Sequence, residues 1–328
     1  MSIKSVLVTG GAGYVGAVLV PRLLEKGFNV TVIDWYLFGQ NVLKNHTRLR
    51  QIKGDIRDSK LIEKELKNVD AVIHLACISN DPSFELDPKL GKSINYDATI
   101  ALVKLAKRRK IKRFIYASTS SVYGVKREKE VTEDLPLEPL TDYSRFKALC
   151  EEYIRKQQGK GFTVLILRPA TICGYSARMR LDLTVNMLTI QALINKRITV
   201  FGGFQKRPNI HIQDMVDIYL KALQYPSEKI GGKIYNVGYE NYTLHDIAKM
   251  IKKTLGDPSI EIVISRTNDK RSYHISSIKI ESELRFKPKH TMEEAILDLK
   301  KAYEEGKIPN ALTDYRYTNL LAMQRIDQ

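Results

Sequence analysis

Within the first sixteen residues a strand-forming run, IKSVLVT at 3–9, passes directly into Gly10-Gly11-Ala12-Gly13-Tyr14-Val15-Gly16 and then into helical spacing at Val15, Leu19, Leu23 and Leu24. Few folds accept that order. A buried strand, a glycine turn and a helix open the dinucleotide-binding βαβ unit. Gly10 permits the tight turn, Gly13 leaves room for a pyrophosphate against the backbone, and Gly16 lets the helix pack closely on the strand. Unpaired N–H groups and the helix dipole favour an anion there, so Tyr14 and Val15 join the glycines as expected cofactor contacts.

The alternation of strand and helix continues downstream. NVTVI at 29–33 reads as a second strand ending at Asp34. A carboxylate at that place accepts hydrogen bonds from the adenosine ribose hydroxyls and repels a 2′-phosphate, which favours NAD over NADP. A solvent-exposed loop aspartate is the alternative reading, weaker given the register of Asp34 with the glycine turn. LRQIK at 49–53 with GDIRD at 54–58 gives a third strand and a turn, where Asp55, with Ile56 beside it, is placed to meet the adenine amino group. Asp58 or Ser59 serves as a helix N-cap. DAVIHL at 70–75 is a fourth buried strand, and after Leu75 the small Ala76 and Cys77 permit a cofactor to pass closely. The stretch 79–88, with two prolines, is expected to stay irregular. A long helix is expected over 90–109, and RFIYA at 113–117 makes a fifth strand. This rhythm predicts an α/β fold with a doubly wound, Rossmann-type parallel sheet.

The fifth strand opens into Ser118-Thr119-Ser120-Ser121-Val122-Tyr123-Gly124, and after a charged loop a helix is expected from Asp142 to about residue 157. Tyr143 and Lys147 are four apart, so on that helix they share a face. Alone, this pair is a common coincidence. In company it resembles the extended short-chain dehydrogenase/reductases. Members share a GGAGYVG-type turn, an acidic end to the second strand, a GDIRD-like turn, HLA, an S-[ST]-x-S-V-Y-G segment, YxxxK, and LRP at the sixth strand. This chain carries each of them, at 10–16, Asp34, 54–58, 74–76, 118–124, Tyr143 with Lys147, and 167–169.

The resemblance implies that Thr119, Tyr143 and Lys147 form the catalytic set. Physical chemistry agrees with it. A tyrosine beside Lys147 and the positive nicotinamide has its phenolate stabilised, moving its pKa from about 10 toward working pH. It can then take a proton from a sugar hydroxyl while hydride leaves the same carbon. Thr119 is the expected donor to the substrate oxygen, with Ser118 and Ser120 as competitors. Lys147 would also hold the nicotinamide ribose.

TVLIL at 163–167 is a sixth strand, and after Pro169 the alternation loosens. Residues 1–168 are therefore assigned to an NAD-binding Rossmann domain. Residues 169–328 are assigned mainly to a smaller α/β part that binds a nucleotide-activated sugar, with some segments returning to the Rossmann sheet. Arg178, Arg180 and Asn186, in YSARMRLDLTVN at 175–186, are placed to receive the substrate diphosphate. By resemblance, Arg207 and Arg271 stand where the family places phosphate-binding arginines, whose guanidinium fork suits phosphate oxygens. Asp214 reads as a helix N-cap, and the tail 309–328 as packing at a subunit contact in a homodimer or higher homo-oligomer.

A net charge of +16 admits either nucleic acid or a polyanionic small substrate. The densest basic run, 104–113, lacks the interleaved aromatics that stack bases, which argues against nucleic acid. No apolar run reaches about 18 residues. Cys77, Cys150 and Cys173 are widely spaced without metal-ligand spacing, and the N-terminus enters a strand directly. A reduced, cytoplasmic enzyme without a metal or a membrane span is expected.

The family runs 4-epimerisation, 4,6-dehydration, decarboxylation, and oxidation or reduction of nucleotide sugars. Its dehydratases place Asp-Glu after the active-site threonine, whereas here Ser120-Ser121 follow Thr119. The expectation is an NAD-dependent nucleotide-sugar 4-epimerase. A 4-dehydrogenase or reductase stands close behind, because 178–186 resembles capsular GDP-heptose 4-dehydrogenases. From another class comes a non-catalytic NAD-sensing or nucleic-acid-binding protein that keeps the fold.

Overall fold

The computed structural model, which describes residues 3–39, 41–267, 272 and 274–326, has twelve strands among them. In the first part these are β1 (Ser5–Thr9), β2 (Asn29–Asp34), β3 (Leu49–Lys53), β4 (Ala71–His74), β5 (Arg113–Ala117) and β6 (Thr163–Pro169). There follow β7 (Thr171–Cys173), β8 (Arg197–Phe201), β9 (Lys206–His211), β10 (Lys233–Val237), β11 (Glu240–Thr243) and β12 (Glu261–Ser265). Seven of them form one sheet in the order β10-β6-β5-β4-β1-β2-β3, every neighbouring pair parallel. Strand order reverses between β1 and β4. In open α/β sheets that reversal leaves the crevice where ligands bind.

Successive residues of each strand feed two cores. Leu7, Val72, Phe114, Val164 and Ile166 are buried on one face, and Val6, Val8, Ile73, Ile115, Leu165 and Leu167 on the other. Helices cover both faces, which is why the strands read as nearly continuous apolar runs. The three-stranded sheet β11-β9-β7 and the pair β12-β8 lie outside this sheet. The helices Thr184–Asn195, Leu244–Leu255 and Met292–Glu304 share a separate core with β8, through Val185, Ile198, Val200, Ile247 and Ile296. β10 belongs to the later part of the chain yet pairs with β6.

Segment 79–88 is not irregular. It holds the helix Asp81–Leu86, and another helix starts at Pro88. Both prolines fall in first turns, where the missing N–H has no partner to lose. Asn80 and Asp87 cap the two helices by accepting the N–H groups of Ser83, and of Lys89 and Leu90. The long helix expected over 90–109 is interrupted by a π-helical turn, Ser93–Ala98. There the side chain of Asn95 clasps Ile78, accepting from its N–H at 2.8 Å and donating to its carbonyl at 2.9 Å.

Asp214 is not the N-cap of its helix either. His211 caps Ile212–Gln224, while the buried Asp214 carboxylate accepts the N–H groups of Lys289 and His290 at 2.9 and 2.8 Å. No helix among the described residues is long and apolar enough to cross a membrane.

Candidate active site

A cavity of about 410 Å³ opens at the C-terminal ends of β1, β2, β4 and β5. One end is built from backbone. Gly10, Gly13, Tyr14, Val15 and Gly16 line it, with Asp34, Ile56, Leu75 and Ala76. Gly10 sits at φ +73°, and a Cβ there would stand 2.6 Å from the Ala76 nitrogen, so no other residue fits. Asp34 accepts the N–H groups of Ala12 at 2.9 Å and Tyr36 at 2.8 Å. Burial raises its pKa, against the pull of those two N–H groups and of Arg178.

Asp55 is not at the cavity wall. Its carboxylate is engaged by the Arg57 guanidinium at 2.6 to 3.1 Å, a neighbour two residues on, and only Gly54 and Ile56 of that turn reach the cavity. Below the floor, His74 lies between the hydroxyls of Thr9 at 2.6 Å and Thr99 at 2.8 Å. Burial, assisted by the Lys147 charge, pushes its pKa down to about 3, so the ring is neutral.

Thr119, Ser120, Tyr143 and Lys147 line the middle of the same cavity. Thr141 caps the helix Asp142–Lys156 and, with Ser144, forms a capping box that fixes the first turn carrying Tyr143. Lys147, one turn on, is 3% exposed and donates to the Ala117 carbonyl at 2.7 Å. Its nitrogen is 6.0 Å from the centre of the Tyr143 ring. Thr119 lies 3.0 Å from the Ser121 hydroxyl. Ser118 drops out as a competitor, because its hydroxyl donates to the buried Glu151 carboxylate, itself held by the Arg168 guanidinium at 2.6 to 3.1 Å.

The Tyr143 phenol runs against the expected direction. Burial first, then Cys77 and Asp81, hold its pKa well above the ordinary value, while Arg180 and a hydrogen bond with Thr119 draw it down.

The other end of the cavity is assembled from side chains far apart in sequence. Arg180 pairs with Asp182 through two hydrogen bonds, at 2.9 and 3.2 Å. Burial works against its charge, but Asp182, joined by Tyr143 and Cys77, raises the pKa of Arg180 overall. Asp182 also accepts from Asn80 at 2.9 Å and from the Asn319 N–H at 3.1 Å. Asn80 itself sits at φ +81°, a strained place for a residue other than glycine.

Arg178 reaches the glycine-turn end and is linked through Asn319 to Asp182, the partner of Arg180. Its guanidinium stacks 3.5 Å over the Phe38 ring and donates to the Asn319 side chain. Asn186 does not reach the cavity. It is fully buried, accepting from Gly174 N–H at 3.0 Å and donating to the Tyr14 hydroxyl at 3.0 Å and the Arg180 carbonyl at 2.9 Å. Arg207, on β9, does not line the cavity, though the next residue, Pro208, does. Arg271 lies outside the described residues; its neighbour Ser272 accepts from the Lys206 N–H of β9 at 3.0 Å.

Part of the tail turns inward. Asn319 and Met323 line the cavity of their own chain. Sequence reasoning missed Phe38, Asn80, Asp81, Asp182 and Asn319, all at or against this wall. For Asn80 a signal existed, since Asn-Asp-Pro is a helix-start pattern. For Asn319 there was none.

The cavity holds a buried anion-receptive turn, a ribose-type carboxylate and a hydroxyl–phenol–ammonium row, an arrangement suited to oxidising a hydroxyl against a dinucleotide. Residues 6–238 match the family described as NAD dependent epimerase/dehydratase. UDP-glucose 4-epimerase 2 of Arabidopsis thaliana is 31% identical over 329 residues, covering 90% of this chain and 94% of that enzyme. The crystal structure of a UDP-glucuronic acid 4-epimerase from Bacillus cereus, in complex with UDP-glucuronic acid and NAD, is 28% identical with a TM-score of 0.81. It covers 92% of this chain and 100% of its own. A dTDP-glucose 4,6-dehydratase from Streptomyces venezuelae with NAD bound is 26% identical with a TM-score of 0.82, covering 94% and 100%.

Proposed function

Because the chain belongs to the NAD-dependent epimerase/dehydratase family, we propose that it is a nucleotide-sugar 4-epimerase acting on a UDP-activated sugar. One observation carries this reading. Thr119, Tyr143 and Lys147 share a single cavity with the glycine turn and Asp34.

The residues at the first end fit a dinucleotide. The glycine turn gives a cradle in which side chains have no place, and two nitrogens of the buried Arg178 guanidinium, Nε and Nη1, have no hydrogen-bond partner. An anion is their natural complement. NAD, when bound, supplies the acceptor and later the donor of a hydride.

Everything else falls to the side chains. Tyr143 takes the proton of the sugar C4 hydroxyl and returns it after the 4-keto sugar has presented its other face. Arg180 and the Thr119 hydroxyl already draw the phenol down, and Lys147 stands one turn away. Thr119 and Ser120 orient the reacting oxygen. Ser120-Ser121, without a carboxylate after Thr119, support epimerisation over dehydration. The enzyme is read as cytoplasmic and homo-oligomeric, in line with three free cysteines and with Leu149 exposed on the outer side of the Tyr143 helix.

The test is a panel of UDP-, GDP-, dTDP- and CDP-sugars followed by NADH absorbance and product NMR together. Epimer formation from a UDP-sugar without net NADH supports the proposal; net NADH with a released keto sugar would assign a 4-dehydrogenase instead. Tyr143→Phe should lower turnover about 10²- to 10⁴-fold while NAD still binds.

A further inference from the structure

We propose that the C-terminal tail is a working part of the cofactor site. Asn319 is a positioning residue that aims Arg178 at the diphosphate of the dinucleotide and so helps retain the cofactor. This rests on the dinucleotide reading of the cavity and goes beyond it.

Arg178 is 3% exposed, yet among the described residues only one of its nitrogens has a hydrogen-bond partner, the Asn319 side-chain oxygen. Asp34, Asp182 and Tyr14 act on it only through space. A buried guanidinium with two unpartnered nitrogens is costly, and an anion within the cavity relieves that cost. Burial, together with the like charge of Arg180, lowers its pKa to about 9, so it stays cationic at neutral pH. The stack on Phe38 and the proximity to Asp34 put this cation at the glycine-turn end, where the diphosphate of a dinucleotide belongs.

Asn319 is tied from both sides. Its amide donates to the Ser79 hydroxyl at 2.7 Å and the Ser79 carbonyl at 3.3 Å, and its backbone N–H donates to Asp182 at 3.1 Å. Two residues earlier, the Tyr317 carbonyl accepts the Leu181 N–H at 2.8 Å. An asparagine suits the position because one side chain must accept from Arg178 and donate to Ser79 together. Aspartate would keep the shape but hand Arg178 a counter-ion of its own.

The experiment measures NAD, ADP and UDP affinity calorimetrically for the full-length wild type, Asn319→Asp and Asn319→Ala, with melting temperature recorded without ligand. Both variants should bind NAD and ADP about ten- to a hundredfold more weakly. UDP affinity and the ligand-free melting temperature of Asn319→Asp should hold, and NAD co-purifying with the variants should fall in step. Unchanged NAD affinity in both variants overturns the proposal, and so does a loss confined to UDP, which would assign Arg178 to the substrate. Failure of the wild type to bind NAD at all would instead remove the dinucleotide reading beneath it.

Discussion

The two ends of the cavity are built in different ways. At the glycine-turn end the chain works through backbone: residues 10–16 are contiguous, Gly10 has a left-handed φ, and Asp34 itself is held by two N–H groups. At the other end it works through side chains from two distant segments, 79–80 and 180–182, joined by Arg180 and Asp182. Backbone geometry is common to any dinucleotide. Side chains assembled across the chain are free to differ, and substrate choice within one fold has room to vary there.

Gly10→Ala and Arg180→Lys together separate the two modes. At Gly10 a methyl group would stand 2.6 Å from backbone of Ala76, on a left-handed residue, so overpacking and strain each cost about 1–3 kcal/mol. Melting temperature and NAD binding should both collapse. Arg180→Lys keeps a charge against Asp182 but loses the fork that makes two hydrogen bonds. It should lower kcat/KM about tenfold or more and leave NAD affinity unchanged. If Arg180→Lys weakened NAD as strongly as substrate, the ends would not be separate, and the comparison would fail.

This contrast also explains what could be read in the sequence. The parallel sheet, the Gly10 turn, Asp34 and the spacing of Tyr143 and Lys147 are local patterns, set by neighbours within a few residues. Asn319 meets Ser79 across 240 residues, and no local pattern announces it. Arg178, Arg180 and Asn186 were read as one group because they are close in sequence. Arg178 and Arg180 lie in an irregular segment, where side-chain direction has no fixed period, while Asn186 lies in the helix Thr184–Asn195, and the three diverge: Arg178 to the glycine-turn end, Arg180 to Asp182, Asn186 inward to Tyr14. Asp55 was misplaced for a smaller reason, the competing guanidinium of Arg57.

The floor of the glycine-turn end should be sensitive to acid. His74 has an ordinary pKa of 6.5 and a folded value of about 3, so below pH 6.5 the unfolded chain binds a proton that the folded chain refuses. Stability contributed by neutral His74 is complete above 6.5 and is lost as pH falls toward 3, at about 1.4 kcal/mol per pH unit. Urea unfolding at pH 7 and pH 5 should show that loss in the wild type, and it should shrink in His74→Gln. An equal loss in both proteins would place the acid-sensitive group elsewhere, and the two ends would then not differ in this respect.

The smallest effect expected is on cofactor choice. Asp34 stands at the end of β2, lines the cavity, and keeps both oxygens anchored by Ala12 and Tyr36. Removing it as Asp34→Ala takes away the negative charge that disfavours a 2′-phosphate, with Arg178 remaining nearby as a cation. The ratio of NAD to NADP affinity should therefore fall about tenfold, roughly 1.4 kcal/mol, with the NAD term changing less than the NADP term. A wild type that already preferred NADP would contradict the role given to this carboxylate. A preference that shifts in Asp34→Ala but not in Arg180→Lys would assign cofactor choice to the glycine-turn end alone.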